Sequence, residues 1–253
     1  MRRIAALVGL GAAAAGAAVW AARSAGVRLS REAMSHGAAP GRLGSWMNSL
    51  MDGPTYRAFA QVLDVHPDDE LLDVACGWGE FLVNHAAGAR RVSGVDLAPA
   101  KVALARERLA ERIRAGTAEV VVADAARLQW PDASFTAVTC IDAFPFFPDP
   151  QAVLAEIFRV LRPGGRALVT FAAEQLPEGV ESRSARGIAG TYTAISEATA
   201  RSMVASAGFD PVTVSWVPVA GEHRLIGAVL RVVADGDLVD IVFGRKPVGT
   251  ASD

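Results

Sequence analysis

Four aspartates and one glycine turn are the residues of this chain whose types and spacing could do chemistry. An apolar run, Leu71-Leu72-Asp73-Val74-Ala75, leads into Cys76-Gly77-Trp78-Gly79, and a helical pattern starts at Glu80. Two glycines let the backbone turn tightly and approach a ligand, with amide groups exposed at the start of the next helix. Asp96 closes the second apolar run, seventeen positions after Gly79, and Leu97 follows it. An acid there can accept hydrogen bonds from both hydroxyls of a ribose. Asp124-Ala125 closes the third run. A carboxylate there could accept from an exocyclic adenine amine, leaving a backbone amide for a ring nitrogen. Cys140-Ile141-Asp142 closes the fourth. One aspartate after a strand is well explained as a helix cap or turn residue. Several of them in register on one alternating pattern are not.

The elements that must position these groups alternate regularly. Pro54 to Val65 reads as an amphipathic helix with Phe59, Val62 and Leu63 on one side. Leu71 to Ala75 is a strand feeding a helix over Glu80 to Ala87. Arg91 to Asp96 is a second strand, followed by a helix over Pro99 to Arg114 whose Val102, Leu104, Ala105, Leu109 and Ile113 recur near every 3.6 residues. Strands are predicted at Ala118 to Ala123, Thr136 to Ile141 and Arg166 to Phe171. Between the last two lies a helix from Gln151 to Leu161, stopped by Arg162-Pro163-Gly164-Gly165. Ser196 caps a helix to Ala207, with Gly208 as its stop. Late strands are expected at Val212 to Val217 and Leu238 to Gly244, with another candidate at Leu225 to Val233. This alternation implies an α/β domain with a mainly parallel, doubly wound sheet. Ligands of such sheets sit outside the carboxyl ends of the strands, where strand order reverses.

Composition limits the partners. With 51% apolar and 21% charged residues over 253 positions, a sizeable core is affordable and global disorder is excluded. A net charge of −2 gives no electrostatic footprint for nucleic acid. Cys76 and Cys140 are far apart, form no zinc spacing, and read as small hydrophobes, so no metal site is expected. Ile4 to Ala22 carries no charge and is bracketed by Arg2, Arg3, Arg23 and Arg28. As a helix it would span roughly 28 Å, near the hydrocarbon thickness of a bilayer. A membrane anchor is the favoured reading, with a cleaved signal peptide and an alanine-rich tail as alternatives. The expected organisation is an apolar helix over 1–24, a connector over 25–53, the main domain over 54–247 and a tail over 248–253. The expected location is the cytoplasmic side of a membrane, or the cytoplasm if the segment does not insert.

Taken together, these residues resemble a class I S-adenosylmethionine-dependent methyltransferase. Leu71 to Phe81 is similar to the family's first motif, where an acid opens and a Gly-x-Gly turn holds the methionine part of the cofactor. Asp96 falls at the family's ribose-binding acid. Ala123-Asp124-Ala125 through Phe135 resembles the adenine-binding segment, and Leu161 to Gly165 the turn after it. The resemblance covers roughly Gly53 to Phe209 and implies a seven-stranded Rossmann-like sheet with S-adenosyl-L-methionine as cofactor. It places Asp73, Ala75, Cys76, Gly77, Trp78, Gly79, Asp96, Leu97, Asp124, Ala125, Cys140 and Ile141 around that cofactor. A nicotinamide-binding protein would want a third glycine, and Gly79 is followed by Glu80-Phe81-Leu82 instead. Met47 to Met51 with the Asp-Val-Ala-Cys-Gly turn is similar to the quinone C-methyltransferases, and Cys76 to Gly79 also to cyclopropane-fatty-acid synthases. Tyr192 to Phe209 is similar to small-molecule methyltransferases in general.

The acceptor side is sparser. Ala143-Phe144-Pro145-Phe146-Phe147-Pro148 holds no histidine. Phe144, Phe146 and Phe147 are candidate apolar walls for an acceptor, with plain core packing as the alternative for each. Asp142 is the first candidate for a polar role beside the methyl group, and Tyr192 the second. The sequence therefore points to methyl transfer, by in-line displacement, to a hydrophobic small molecule such as a lipid, quinone or polyketide. A non-catalytic adenosyl-binding module and cyclopropane formation on an acyl lipid are the alternatives.

Overall fold

The computed structural model describes residues 53, 55–171, 195–218 and 238–246. Outside them lie the predicted N-terminal apolar helix, most of the connector, the loop over 176–190, Tyr192, the strand proposed over 225–233 and the tail. The described part begins with helix α1, residues 55–63. Strand β1 is Glu70–Val74, α2 Glu80–Asn84, β2 Arg91–Asp96, α3 Pro99–Arg108 and α4 Ala110–Arg114. Next come β3 Ala118–Val122, β4 Phe135–Cys140, a 3₁₀ turn Phe144–Phe146, α5 Pro150–Val160 and β5 Leu161–Phe171. Helix α6 Glu197–Ser206 precedes β6 Val212–Pro218 and β7 Leu238–Arg245.

The strands form one seven-stranded sheet in the order β3-β2-β1-β4-β5-β7-β6. Strands β1 to β5 run parallel, and β7 is antiparallel to both β5 and β6. Order reverses between β1 and β4, so the crevice that such sheets use for ligands opens beyond Val74 and Cys140. Side-chain alternation along β1 divides the core. Leu72 and Val74 pack with Val153, Leu154 and Ile157 of α5 and with Ala200 and Val204 of α6. Leu71 faces the other layer, with Phe59 and Leu63 of α1, Leu82 of α2 and Val102 and Ala105 of α3. Apolar side chains fill both layers, as period-2 strands sandwiched by helices require.

Three elements differ from the sequence pattern. The helix expected through Arg114 breaks at Leu109, whose backbone (φ −98, ψ 10) separates α3 from α4 while its side chain stays buried. The helix after the glycine turn is one short segment ending at His85 rather than reaching Ala87. The helix before the Pro-Gly-Gly turn does end there, at Val160, but β5 starts at Leu161, ahead of the turn rather than at Arg166. Phe135 pairs with Leu161 and Ala137 already pairs with Arg166, so the segment bulges out within β5, with Gly164 at φ 77. The predicted Ser196 cap is present, its hydroxyl accepting from the Thr199 amide at 3.1 Å. Among the described residues, no helix is long and apolar enough to cross a membrane.

Candidate active site

Four non-glycine residues among those described have left-handed backbone, Asp64, Ala75, Ala133 and Asp142, and two of them lie at the carboxyl ends of β1 and β4. Ala75 sits at φ 58 and Asp142 at φ 54, both left-handed without being glycine. Such strain clusters where a fold must aim groups at a ligand. Gly77 (φ 54) and Gly79 (φ 75) continue the turn from β1 into α2. A Cβ on Gly79 would lie 3.2 Å from the Ala105 Cβ, so that glycine lets α3 pack against the loop. A Cβ on Gly77 would meet nothing within 4 Å, so that glycine lines open space. Arg108 of α3 clamps the loop from behind. One guanidinium nitrogen donates to the Trp78 carbonyl at 3.1 Å and another to the buried Glu80 carboxylate at 3.0 Å.

Asp96 connects this loop to α3. One carboxylate oxygen accepts from the Gly77 amide at 2.9 Å, the other from the Ala98 amide at 2.8 Å. The residue is therefore a turn cap as well as a candidate ribose acid. Each oxygen keeps one lone pair for a further donor. Asp73 is 4% exposed and takes a 2.7 Å hydrogen bond from the Thr139 hydroxyl. Burial pushes its pKa up to about 7, with the nearby Asp96 charge adding to the rise against that hydrogen bond. Asp124 is exposed and turns one oxygen onto the Ala126 amide at 2.9 Å, with Ala125 buried beside it. Leu97, at 48%, and Val122, at 44%, are the exposed large apolar side chains among the described residues. They follow or end β2 and β3, on the edge where an adenine face would need apolar contact.

On the β4 side, Cys140 is fully buried and Ile141 nearly so. Burial raises the thiols of both Cys76 and Cys140, so neither is a nucleophile at neutral pH. Asp142 keeps an accessible side chain. Its backbone amide donates to the Thr170 hydroxyl at 2.7 Å. Burial within the surrounding protein raises its pKa, opposed by side-chain hydrogen bonds from Thr170 and Tyr56. An accessible carboxyl that is nonetheless surrounded by protein is what a residue lining a deep cleft looks like. Phe144 is 3% exposed and stacks edge-on against Phe171 at 4.6 Å, so it belongs to the core. Phe146 and Phe147 are half-buried. Tyr192 lies outside the described residues. The sequence reading passed over Tyr56, because it sits in α1, nearly ninety positions before its partner. No local spacing signals that contact.

Among the described residues, no group of three or more His, Cys, Asp or Glu is placed to hold a metal ion. A family model described as a methyltransferase domain matches residues 72–169, which span β1 to β5 and every site group above except Tyr56 and Thr170. Over this segment the chain is similar to methyltransferase domains. The chain is 40% identical to the demethylmenaquinone methyltransferase of Deinococcus radiodurans over 119 residues, 45% of this chain and 47% of that protein. It is 36% identical to the 27-O-demethylrifamycin SV methyltransferase of Amycolatopsis mediterranei over 132 residues, 50% of this chain and 47% of that one. The aligned region is thus about half the length of these curated relatives. Among solved structures, the [4+2]-cyclase SpnF superposes with a TM-score of 0.57 at 20% identity, covering 76% of this chain and 82% of that one. That likeness is one of fold, and a cyclase on this fold leaves the reaction to be argued from the site.

S-adenosylmethionine, the cofactor that the sequence resemblance implies, fits the residues present. Gly77 and Gly79 open a cradle, Asp96 retains acceptor capacity for a ribose, and Leu97 and Val122 offer apolar contact at the adenine edge. Among the described residues, the buried indole N–H of Trp78 has no hydrogen-bond partner. A buried donor without an acceptor fits a ligand that brings a carboxylate. The buried acids Asp73 and Asp96 suit the cationic half of the same molecule.

Proposed function

We propose that the protein methylates a hydrophobic small molecule of quinone, polyketide or lipid type, using S-adenosylmethionine. The observation that carries this reading is the crevice between β1 and β4, where buried Asp73 has the Thr139 hydroxyl as partner, Asp142 follows β4 at φ 54, and neither carboxyl has an ion pair among the described residues. When bound, the cofactor supplies a methyl group on a positively charged sulfur. The chain's own part is to bind, orient and keep water out. Asp96 and the Gly77–Gly79 loop fix the nucleoside and methionine ends. Asp73, in its ionised form, compensates positive charge. Phe146 and Phe147 supply apolar surface beside Asp142, which suits a hydrophobic acceptor. Asp142 is the group placed to take a proton from an acceptor hydroxyl, and a carboxyl held above its ordinary range suits that task near neutral pH.

The relatives' names support the acceptor class, one being a demethylmenaquinone methyltransferase and the other a 27-O-demethylrifamycin SV methyltransferase. Isothermal calorimetry with S-adenosylmethionine, followed by incubation with methyl-labelled cofactor and a menaquinol precursor or polyketide phenol, tests the proposal. Micromolar binding and labelled product with release of S-adenosylhomocysteine are expected. Folded protein giving no heat refutes the cofactor site. Binding without turnover on any acceptor points to an adenosyl-binding module instead, and a product gaining a ring methylene to cyclopropanation.

A further inference from the structure

The crossing from β3 to β4, residues 123–134, contains no helix or strand. Its peptide groups therefore lack the partners that a regular element would supply. Side chains of α5 supply them instead. The Leu128 amide donates to a Glu156 carboxylate oxygen at 2.7 Å, and the Leu128 carbonyl accepts from Arg159 at 3.0 Å. Both backbone groups of Leu128 are thus paired, as beside a neighbouring strand, while its side chain is buried. The same guanidinium donates to the Trp130 carbonyl at 2.9 Å and the Asp132 carboxylate at 2.8 Å. Two further hydrogen bonds, of 2.7 and 2.8 Å, bind it to Glu156 and hold that carboxyl below its usual range.

This fork stands next to the part of the crossing that reaches the carboxyl edge. The Ala123 amide donates to the Asp96 carbonyl at 3.2 Å, which ties the start of the crossing to β2. Asp124 to Arg127 then form one turn, closed by the Arg127 amide on the Asp124 carbonyl at 3.0 Å. Leu128 follows directly. The turn that carries Asp124 and Ala125 therefore hangs between two fixed points, the end of β2 and the fork on α5. One Asp124 oxygen is used inside the turn, on the Ala126 amide at 2.9 Å, and the side chain is otherwise exposed. The far half of the crossing has its own supports. The Trp130 indole donates to Glu119 of β3 at 2.8 Å, and its ring stands edge-on to Phe135 at 5.4 Å. Losing the fork thus loosens the turn without releasing the whole crossing.

We propose that Glu156 and Arg159 are positioning residues for the nucleobase end of the bound cofactor. By fixing Leu128 they set where the Asp124 carboxylate stands, and with it the chain's preference for a purine bearing an exocyclic amine over one bearing a carbonyl there. This rests on the methyltransferase reading above. An amine donates to a carboxylate, whereas a purine carbonyl turns its lone pairs towards it and is repelled. Hydrogen bonds weaken steeply with misalignment, so this preference is what a displaced turn loses first. Both residues act through the turn and not by contact with the base.

The probes are S-adenosylhomocysteine and S-inosylhomocysteine, which differ at that purine position, titrated into the full chain by calorimetry. The wild type is expected to bind the adenosyl probe about tenfold or more tightly than the inosyl one. In Arg159→Met this ratio is expected to fall towards one, through lost adenosyl affinity, with inosyl affinity kept within about twofold. Arg159→Lys keeps one donor and should restore part of the ratio. Glu156→Gln sets an amide against the guanidinium, is expected to lower the ratio as well, and carries the test alone should Arg159→Met not fold. Arg112→Met is the control for stability. Arg112 grips carbonyls at the amino edge, Ala87 at 3.2 Å and Ala89 at 2.7 Å, so its loss weakens the fold and leaves the ratio at the wild-type value. In an Asp124→Ala background, Arg159→Met should change the ratio no further, because the two act through one carboxylate. Equal binding of the two probes by the wild type, or a wild-type ratio in Arg159→Met, overturns the positioning role and leaves the cofactor reading standing. A ratio that falls as far in Arg112→Met does the same. Folded wild type that binds neither probe brings down the cofactor reading and this proposal with it.

Discussion

Two buried aspartates four positions apart, Asp69 and Asp73, meet opposite fates. They are 3% and 4% exposed. Asp69 lies at the amino edge of the sheet, where burial would raise its pKa. There Arg166 grips it with two nitrogens, Thr136 and the His66 amide donate to it, and its pKa is lowered overall. Asp73 lies towards the carboxyl edge, has one hydroxyl partner and a neighbouring aspartate, and is pushed up to about 7. The same residue type, equally buried, is satisfied at one edge and left short of positive charge at the other. One edge is finished for stability. The other edge has room for a cation, and S-adenosylmethionine, the proposed cofactor, carries two positive groups.

The largest way to break this contrast is to remove the cation at the amino edge. Arg166→Met strands a buried carboxylate and leaves the Leu63 and Asp64 carbonyls without their donor. Breaking one side of a buried pair costs about 3–5 kcal/mol, read as a fall in the urea midpoint. Adding Asp69→Asn to the same chain is expected to recover part of the loss, because the stranded charge is gone. A double variant no more stable than Arg166→Met would mean that the capped carbonyls, not the ion pair, carry the energy.

At the other edge the sign reverses. A folded pKa of about 7 against an ordinary 3.8 means that the folded chain binds the Asp73 proton more tightly than the unfolded one. That contribution is fully present below about pH 4 and is lost as pH rises through about 7. The shift bounds it at ~4 kcal/mol. Asp73→Asn keeps the Thr139 hydrogen bond and holds no charge. It is therefore expected to be more stable than wild type at pH 8, by about 1–3 kcal/mol, and little changed at pH 4. Cofactor affinity should move the other way, falling about tenfold or more at pH 8, the free-energy scale of one pKa unit. Calorimetry on the wild type should find binding tightening between pH 6 and 8. A pH-independent affinity would break the claim that the acid awaits a cation.

Sequence made the carboxyl edge legible because its groups follow strands in a fixed order. Glycines at 77 and 79, acids at 73, 96 and 124, and the strand-helix alternation are local features, and the fold follows from them. What it hid was anything that depends on long-range approach. The Asp142 amide finds the Thr170 hydroxyl only after β4 and β5 pair. The Arg166–Asp69 pair joins residues 97 positions apart. Phe144 looked like a wall and packs into the core, because the 3₁₀ turn swings it onto Phe171. The Pro-Gly-Gly break marks the end of the helix as expected but hides the early start of β5, for a related reason. A bulge in a strand and a loop after a helix use the same residues, and only pairing with β4 distinguishes them.

The finest test of the two-edge contrast uses glycines. Gly94, in the middle of β2, has no room, since an added Cβ would lie 2.8 Å from Cys76 Sγ and 2.9 Å from Leu82 Cδ1. Gly94→Ala is overpacking and should cost about 1–3 kcal/mol while leaving the crevice itself empty of new atoms. Gly77 has room but the wrong backbone for alanine, at φ 54. Gly77→Ala should cost only about 1 kcal/mol, the smallest stability effect of those argued here. Its new methyl, however, projects into the space the loop leaves open beside Asp96. The ratio of the two effects is therefore the quantity to measure. For Gly94→Ala, lost stability should dominate with cofactor affinity nearly kept. For Gly77→Ala, affinity should fall severalfold while stability drops by only about 1 kcal/mol. Equal ratios would mean that the open space beside Gly77 is a gap in packing and not the cofactor's cradle.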